Sequence, residues 1–318
     1  MRLIKLLLIA SALIGGVAHA NDRVRVGKAQ GTAWVFVPID IGLERGLFAK
    51  QGIDIEIANL AGDAKLQQAI ASNSIEFGLG SGPGMAFAAK GSGAIGVAAF
   101  GGPPHNIAAI VLRDSSIQQI ADLKGKTIAV STAGSLSDWL AKQMAIQEGW
   151  GQDGIRATPL GAIPTSIAAL KARQVDAVVL ATEAGFRLEE RNEGRILATM
   201  DRYAPNFITE VVFAQKSLVA SNPDLVKRFL RGFFDAIAFM KTHKEETSRV
   251  AERVLQFNPS LAGKVYDSQI GMLLDDGQFD PRAVATLKRS YLEMKTLRTE
   301  PADAELFTTQ FLPIKRQP

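Results

Sequence analysis

Small hydroxyl residues and glycines gather at helix starts in this chain, and their spacing suits the holding of a ligand rather than covalent chemistry. In Thr132-Ala133-Gly134-Ser135-Leu136-Ser137-Asp138, Ser135 and Asp138 stand at capping-box spacing. Free backbone N–H groups and the helix dipole at such a start favour an anion. Gln30-Gly31-Thr32 lies at the matching place of a related stretch. A second matched pair is Gly80-Ser81-Gly82 and Ala181-Thr182-Glu183, where Glu183 would accept hydrogen bonds from a ligand amine or hydroxyl. The candidate ligand-binding residues are therefore Gln30, Gly31, Thr32, Ser81, Gly82, Thr132, Gly134, Ser135, Thr182 and Glu183, with Trp34 and Phe207 as apolar walls. Each has a plainer reading. Ser135 also reads as an ordinary N-cap, Glu183 as a surface acid opening a helix over 184–191, and the two aromatics as core.

Other chemistries lack their residues. The chain has no cysteine, which excludes disulfides, a thiol nucleophile, a thiolate metal site and a lipid-modified cysteine. Beyond the first 20 residues only His105 and His243 remain, without ligand spacing, so neither a metal nor another cofactor is expected. No G-x-S-x-G elbow is present, and no catalytic residue is assigned. Gly91-Ser92-Gly93-Ala94-Ile95-Gly96 matches a dinucleotide pattern, but it follows a helix and opens a strand, the reverse of what pyrophosphate binding needs.

The elements that must position these loops come twice. Ala69-Ile70 to Glu76-Phe77 and Ala169-Leu170 to Asp176-Ala177 share one pattern, about 100 residues apart. Val24 to Gly31 and Ile128 to Ser135 each run from a strand into a small-residue loop, and a tryptophan follows (Trp34, Trp139). Strands and helices alternate, with a half-buried strand over 53–57 and a helix over 64–72 that Asp63 would cap. This predicts an α/β protein of two domains, each a mostly parallel sheet flanked by helices. Ile107–Arg113 and Ile208–Gln215 are read as the two crossings between them. The expected lobes are 21–110 with 209–318, and 111–208. The last third reads as packing helices: Leu225, Phe229, Phe233, Ile237 and Met240 recur at helical steps after Asn222-Pro223, and Asp280-Pro281 opens another helix. Residues 1–20 have a basic start, a short apolar run and Ala18-His19-Ala20, the pattern of a secretory signal peptide cut before Asn21. The formal charge is only +4 and scattered, which argues against nucleic acid as a partner.

With these features the chain resembles the periplasmic substrate-binding proteins of ABC importers, of the nitrate/sulfonate/bicarbonate and taurine type related to thiamine-precursor-binding proteins. The resemblance rests on Ile41-Gly42-Leu43-Glu44-Arg45-Gly46-Leu47-Phe48 with Gly52-Ile53-Asp54-Ile55-Glu56, on Asp122-Leu123-Lys124-Gly125-Lys126-Thr127-Ile128-Ala129-Val130, and on Ala169-Leu170 to Val175-Asp176-Ala177. It implies a two-lobe periplasmic-binding-protein fold of type II-like form, with two crossing strands and hinge closure on ligand. It also implies a monomer in the periplasm, without a lipid anchor and without catalysis, that delivers its ligand to an inner-membrane permease and ATPase. Enzyme relatives of this architecture resembling porphobilinogen deaminase or the eukaryotic pyrimidine-synthesis proteins rely on cysteines, which are absent here. With no Lys or Arg in the Thr132–Asp138 or Gly80–Gly84 loops, the expected ligand is a small organic anion, a sulfonate or carboxylate. A pyrimidine or thiamine precursor, or nitrate, is the alternative; a cleft enzyme or a sensory subunit is the alternative of a different class.

Overall fold

The computed structural model describes residues 21–60 and 62–315. The expected leader, 1–20, lies outside the described residues. In chain order the strands are β1 (Asp22–Lys28), β2 (Ile53–Asn59), β3 (Phe77–Ser81), β4 (Ala94–Gly101), β5 (Ile107–Leu112), β6 (Thr127–Val130), β7 (Arg156–Pro159), β8 (Ala177–Ala181), β9 (Gly194–Thr199) and β10 (Glu210–Gln215). The α-helices are α1 (Val37–Glu44), α2 (Asp63–Ala71), α3 (Met85–Ala89), α4 (Leu136–Gln147), α5 (Ile163–Lys171), α6 (Thr182–Glu190), α7 (Lys216–Ser221), α8 (Pro223–Thr242), α9 (Lys244–Leu255), α10 (Pro259–Gln269), α11 (Pro281–Glu293) and α12 (Asp303–Leu306).

The strands form two five-stranded sheets of one design, β2-β1-β3-β10-β4 and β7-β6-β8-β5-β9. In each, the first three strands pair in parallel, and the fourth position is filled by a strand antiparallel to both neighbours. That antiparallel strand is borrowed: β5 follows β4 of the first sheet, and β10 follows β9 of the second. The sheets are thus mixed, with one reversed strand each. The chain changes sheet over 102–106 and 200–209. Because β5 pairs along its length with β8 and β9, the first change falls ahead of the boundary expected after 110.

The repeat is visible bond by bond. Glu76 accepts a hydrogen bond from the Arg25 N–H at 2.7 Å, and Asp176 accepts one from the Thr127 N–H at 2.8 Å. In both copies the acid before the third strand satisfies a donor of the first strand. Leu60 and Leu160 donate to the Lys28 and Val130 carbonyls, so Gln30 and Thr132 are equivalent positions. Asn73 and Arg173 both turn the chain with a left-handed φ, near 55°.

The long apolar face of α8 covers the first sheet. Phe229 stacks on Phe77 with ring centroids 3.9 Å apart and on Phe48 at 5.5 Å, and Leu225, Phe229, Phe233, Ile237 and Met240 are all buried. Asn222 caps this helix through the Leu225 N–H, as Asn222-Pro223 predicts. The expectation for Asp63 does not hold: it is the first residue of α2, behind a Gly62 N-cap, and makes no cap. Its carboxylate turns to Ser81 instead, accepting from the Ser81 N–H at 2.9 Å and the hydroxyl at 2.6 Å.

Removing the central ring should be costly. Phe229→Ala is expected to lower stability by about 3–5 kcal/mol, the range for a buried phenylalanine truncation, read as a shifted midpoint in urea unfolding at unchanged slope.

Candidate functional site

Between the two sheets, at the carboxyl ends of their parallel strands, lies a cavity of about 710 Å³. This is where open α/β sheets offer ligands room. The two crossovers form its floor by equivalent bonds. The Thr182 N–H donates to the Asn106 carbonyl at 3.0 Å, and the Gly82 N–H donates to the Thr209 carbonyl at 2.8 Å. The Asn106 amide nitrogen in turn donates across to Glu210 Oε1 at 3.4 Å. One side chain from each crossover therefore meets the other beneath the cleft.

Seven of the expected residues line this cavity: Gln30, Thr32, Ser81, Thr132, Gly134, Ser135 and Glu183. The other five do not. Trp34 is fully buried, edge-on to Tyr266 with centroids 6.0 Å apart. Phe207 stacks on Trp139 at 5.1 Å. Thr182 is buried and accepts from Gln269 Nε2 at 2.9 Å. Gly82 is buried, and a Cβ there would stand 2.0 Å from the Ile208 carbonyl oxygen, so the glycine is needed for close approach to the crossover. Gly31 packs against Asn59.

The hydroxyl loop is largely occupied by itself. Ser135 caps α4 by accepting from the Asp138 N–H at 3.3 Å, and the hydroxyls of Ser131, Ser135 and Ser137 bond one another. Asp138 does not complete a capping box. Its carboxylate accepts from the Gly134 N–H at 2.8 Å and pairs with Lys142. A carboxylate of the chain thus already sits where an incoming anion was expected.

The floor is acidic. Asp63, Glu183 and Glu210 all line the cavity, whereas Arg187 is the one cationic side chain among the described residues that do. Burial raises the Asp63 carboxyl, against the two bonds from Ser81. Burial likewise raises Glu183, opposed by hydrogen bonds from its own backbone, from Gln269 and from the Trp34 N–H. Glu183 thereby links α6 to the first lobe. Glu210, 5% exposed, is held well above the usual carboxylate range by burial and by the negative charges of Asp63 and Glu183. Gly101 makes room for it, since a Cβ there would approach Glu210 Cγ to 2.7 Å. The walls are apolar, with Phe36, Phe87, Phe257, Ile163 and Met294 among them, and the Arg187 guanidinium lies 5.3 Å from the Phe257 ring centre.

Asp63, Asn106, Glu210 and Arg187 lie outside the loops singled out from the sequence. A signal for one of them existed. Glu210 is an acid within the apolar run Ile208–Gln215, and an acid there must be paired, protonated or functional.

Comparison with known proteins adds the following. The family model described as NMT1/THI5 like matches residues 34–247. A Brucella abortus protein, whose name gives it as a binding protein and states no solute, is 25% identical over 251 residues, covering 78% of this chain and 76% of its own. The periplasmic aliphatic sulphonate binding protein SsuA from Escherichia coli superposes with TM-score 0.77 at 17% identity, over 93% of this chain and 94% of its own. The desulfurization enzyme DszB shares the fold with TM-score 0.65 at 16% identity, over 92% and 97%.

The raised Glu210 carboxyl makes a stability prediction. Well below the ordinary value of 4.5 Glu210 is protonated in the folded and unfolded chain alike and contributes no pH dependence. As pH rises past that value the unfolded chain releases the proton first, and the folded state loses stability until its own higher pKa is passed. Glu210→Gln is therefore expected to raise the Tm of the empty protein at about pH 7, with the gain fading toward about pH 4. A gain equal at both pH values would contradict the assignment.

Proposed function

As the chain belongs to the NMT1/THI5-like family, we propose that it is the periplasmic solute-binding component of an ABC importer, a monomer that traps a small organic solute between its lobes and passes it to an inner-membrane permease and its ATPase. The observation that carries this reading is the cavity of about 710 Å³, set between two sheets that exchange a strand each. It has the size and largely apolar lining of small-molecule sites. The two crossovers under it suit hinge closure on the solute. Export fits the leader pattern in residues 1–20 and the absence of cysteine. Among the described residues no helix is long and apolar enough to cross a membrane.

The charge of the floor bears on the ligand. A sulfonate would match what SsuA is named for binding, yet a sulfonate or carboxylate entering head-first here would meet Asp63, Glu183 and Glu210. Carboxylates accept hydrogen bonds and attract cations. A solute whose buried end carries N–H donors, such as an amine or an aminopyrimidine of the thiamine-precursor kind, fits this floor better than a simple organic anion or nitrate. An enzyme reading draws on the fold of DszB, but this chain assembles no cysteine nucleophile and no cluster of three or more metal-ligating side chains among the described residues.

The test is a thermal-shift panel of amines, aminopyrimidines, amino acids, sulfonates, carboxylates and nitrate. A ligand at 100 times its Kd should stabilise the protein by about 2.7 kcal/mol. Donor-bearing solutes are expected to raise Tm, and Ser135→Trp, which fills the cleft from the α4 side, to abolish the shift with the fold intact. No shift across the whole panel would overturn the proposal.

A further inference from the structure

Glu210 on the floor and Arg187 on the wall belong to one cleft, and both are short of partners. Glu210 is 5% exposed, and its one hydrogen bond to another side chain is the long 3.4 Å contact from Asn106. A carboxylate can accept about four hydrogen bonds, so most of its capacity is unused. Asn106 Oδ1 is buried without a partner. Turning that amide over would set its oxygen against Glu210, so the orientation follows from the carboxylate. The floor thus offers acceptor oxygens to a ligand, and a cationic group seated there favours the ionised form of Glu210 that burial disfavours in the empty cleft.

Arg187 is the complement. It stands one helical turn beyond Glu183 on α6, and both line the cavity. Its guanidinium carbon lies 5.3 Å from the Phe257 ring centre, within cation–π range. No carboxylate of the described residues comes within ion-pair distance of it. Glu190 feels its charge, but that carboxylate accepts from Asn258. The competing place for an anion, the start of α4, is filled by Asp138 on the Gly134 N–H.

We propose that the cleft selects a dipolar solute: an amine or other N–H-bearing cationic group seated on Glu210, Asp63 and Asn106, and an anionic group, carboxylate or sulfonate, seated on Arg187 over Phe257. This deepens the solute-binding reading and rests on it. Glu183 and Arg187 share one face of α6, and Phe36 and Phe87 add apolar surface to the same cavity. A solute with one aromatic ring between its two charged groups probes the arrangement. Unfunctionalised alkanesulfonates and simple amines each satisfy only one end.

The test uses three probes that differ in one group: 4-(aminomethyl)benzoate, benzylamine and 4-methylbenzoate, measured by calorimetry on the purified protein. The dipolar probe is expected to bind at least about tenfold more tightly than either half, a difference of about 1.4 kcal/mol. Arg187→Gln should bring it down to the level of benzylamine. Glu210→Gln, folded by its thermal transition, should bring it down to the level of 4-methylbenzoate. Tighter binding of 4-methylbenzoate, an unchanged preference in Arg187→Gln, or no binding of any of the three would overturn the inference. If the three fail while a single-headed solute of the wider panel binds, only the dipolar assignment falls; if that panel fails as well, the solute-binding reading falls with it.

Discussion

The exchange of one strand between the two sheets is the constraint on which the rest depends. β5 and β10 enter antiparallel between strands of the other half, so each crossover must pass beneath the cleft, beside the end of the third parallel strand. There its last residue finds a fixed partner: Asn106 with Thr182, and Thr209 with Gly82. The backbone bonding is the same on both sides, and the side chains are not. One crossover delivers an amide and the other a carboxylate, and they meet at the floor. A symmetric scaffold thus holds an asymmetric site.

Burying three carboxylates around one cavity is unfavourable unless something repays it. Asp63 is answered in part by two bonds from Ser81, and Glu183 by donors from Gln269 and the Trp34 backbone. Glu210 has the least help, one long bond from Asn106, and burial with the charges of Asp63 and Glu183 holds its carboxyl well above the usual range. The lobes are tied elsewhere by ordinary contacts, such as Trp139 Nε1 donating to Glu293 at 2.6 Å and Asn258 to Glu190 at 3.0 Å. None of those four residues lines the cavity.

Much of this was legible in the residues, for a physical reason. A repeat forces equivalent loops to the same end of equivalent sheets, so matching Gln30 with the Thr132 loop, and Ser81 with Glu183, led to the cleft without knowledge of its shape. The same reasoning failed for Trp34 and Phe207, because a large ring beside a loop gains more by entering the core, against Tyr266 and Trp139. It also could not anticipate that Asp63 would leave its helix end for Ser81, a partner 18 residues away. Arg187 and Asn106 gave no local signal; only the packing of α6 and the path of the crossover bring them to the cavity. Loop composition showed Glu183 but not Asp63 and Glu210, the two other carboxylates that line the cavity.

The central claim is that the interlobe cleft holds a small solute, and native mass spectrometry of the protein isolated from its own cells without dialysis tests it most directly. The account predicts a one-to-one adduct of a small nitrogen-bearing molecule, retained on gentle desalting and absent from a Ser135→Trp protein prepared in the same way. An adduct that persists when the cleft is filled, or a protein that emerges bare and stays bare after incubation with a cell metabolite extract, would contradict it.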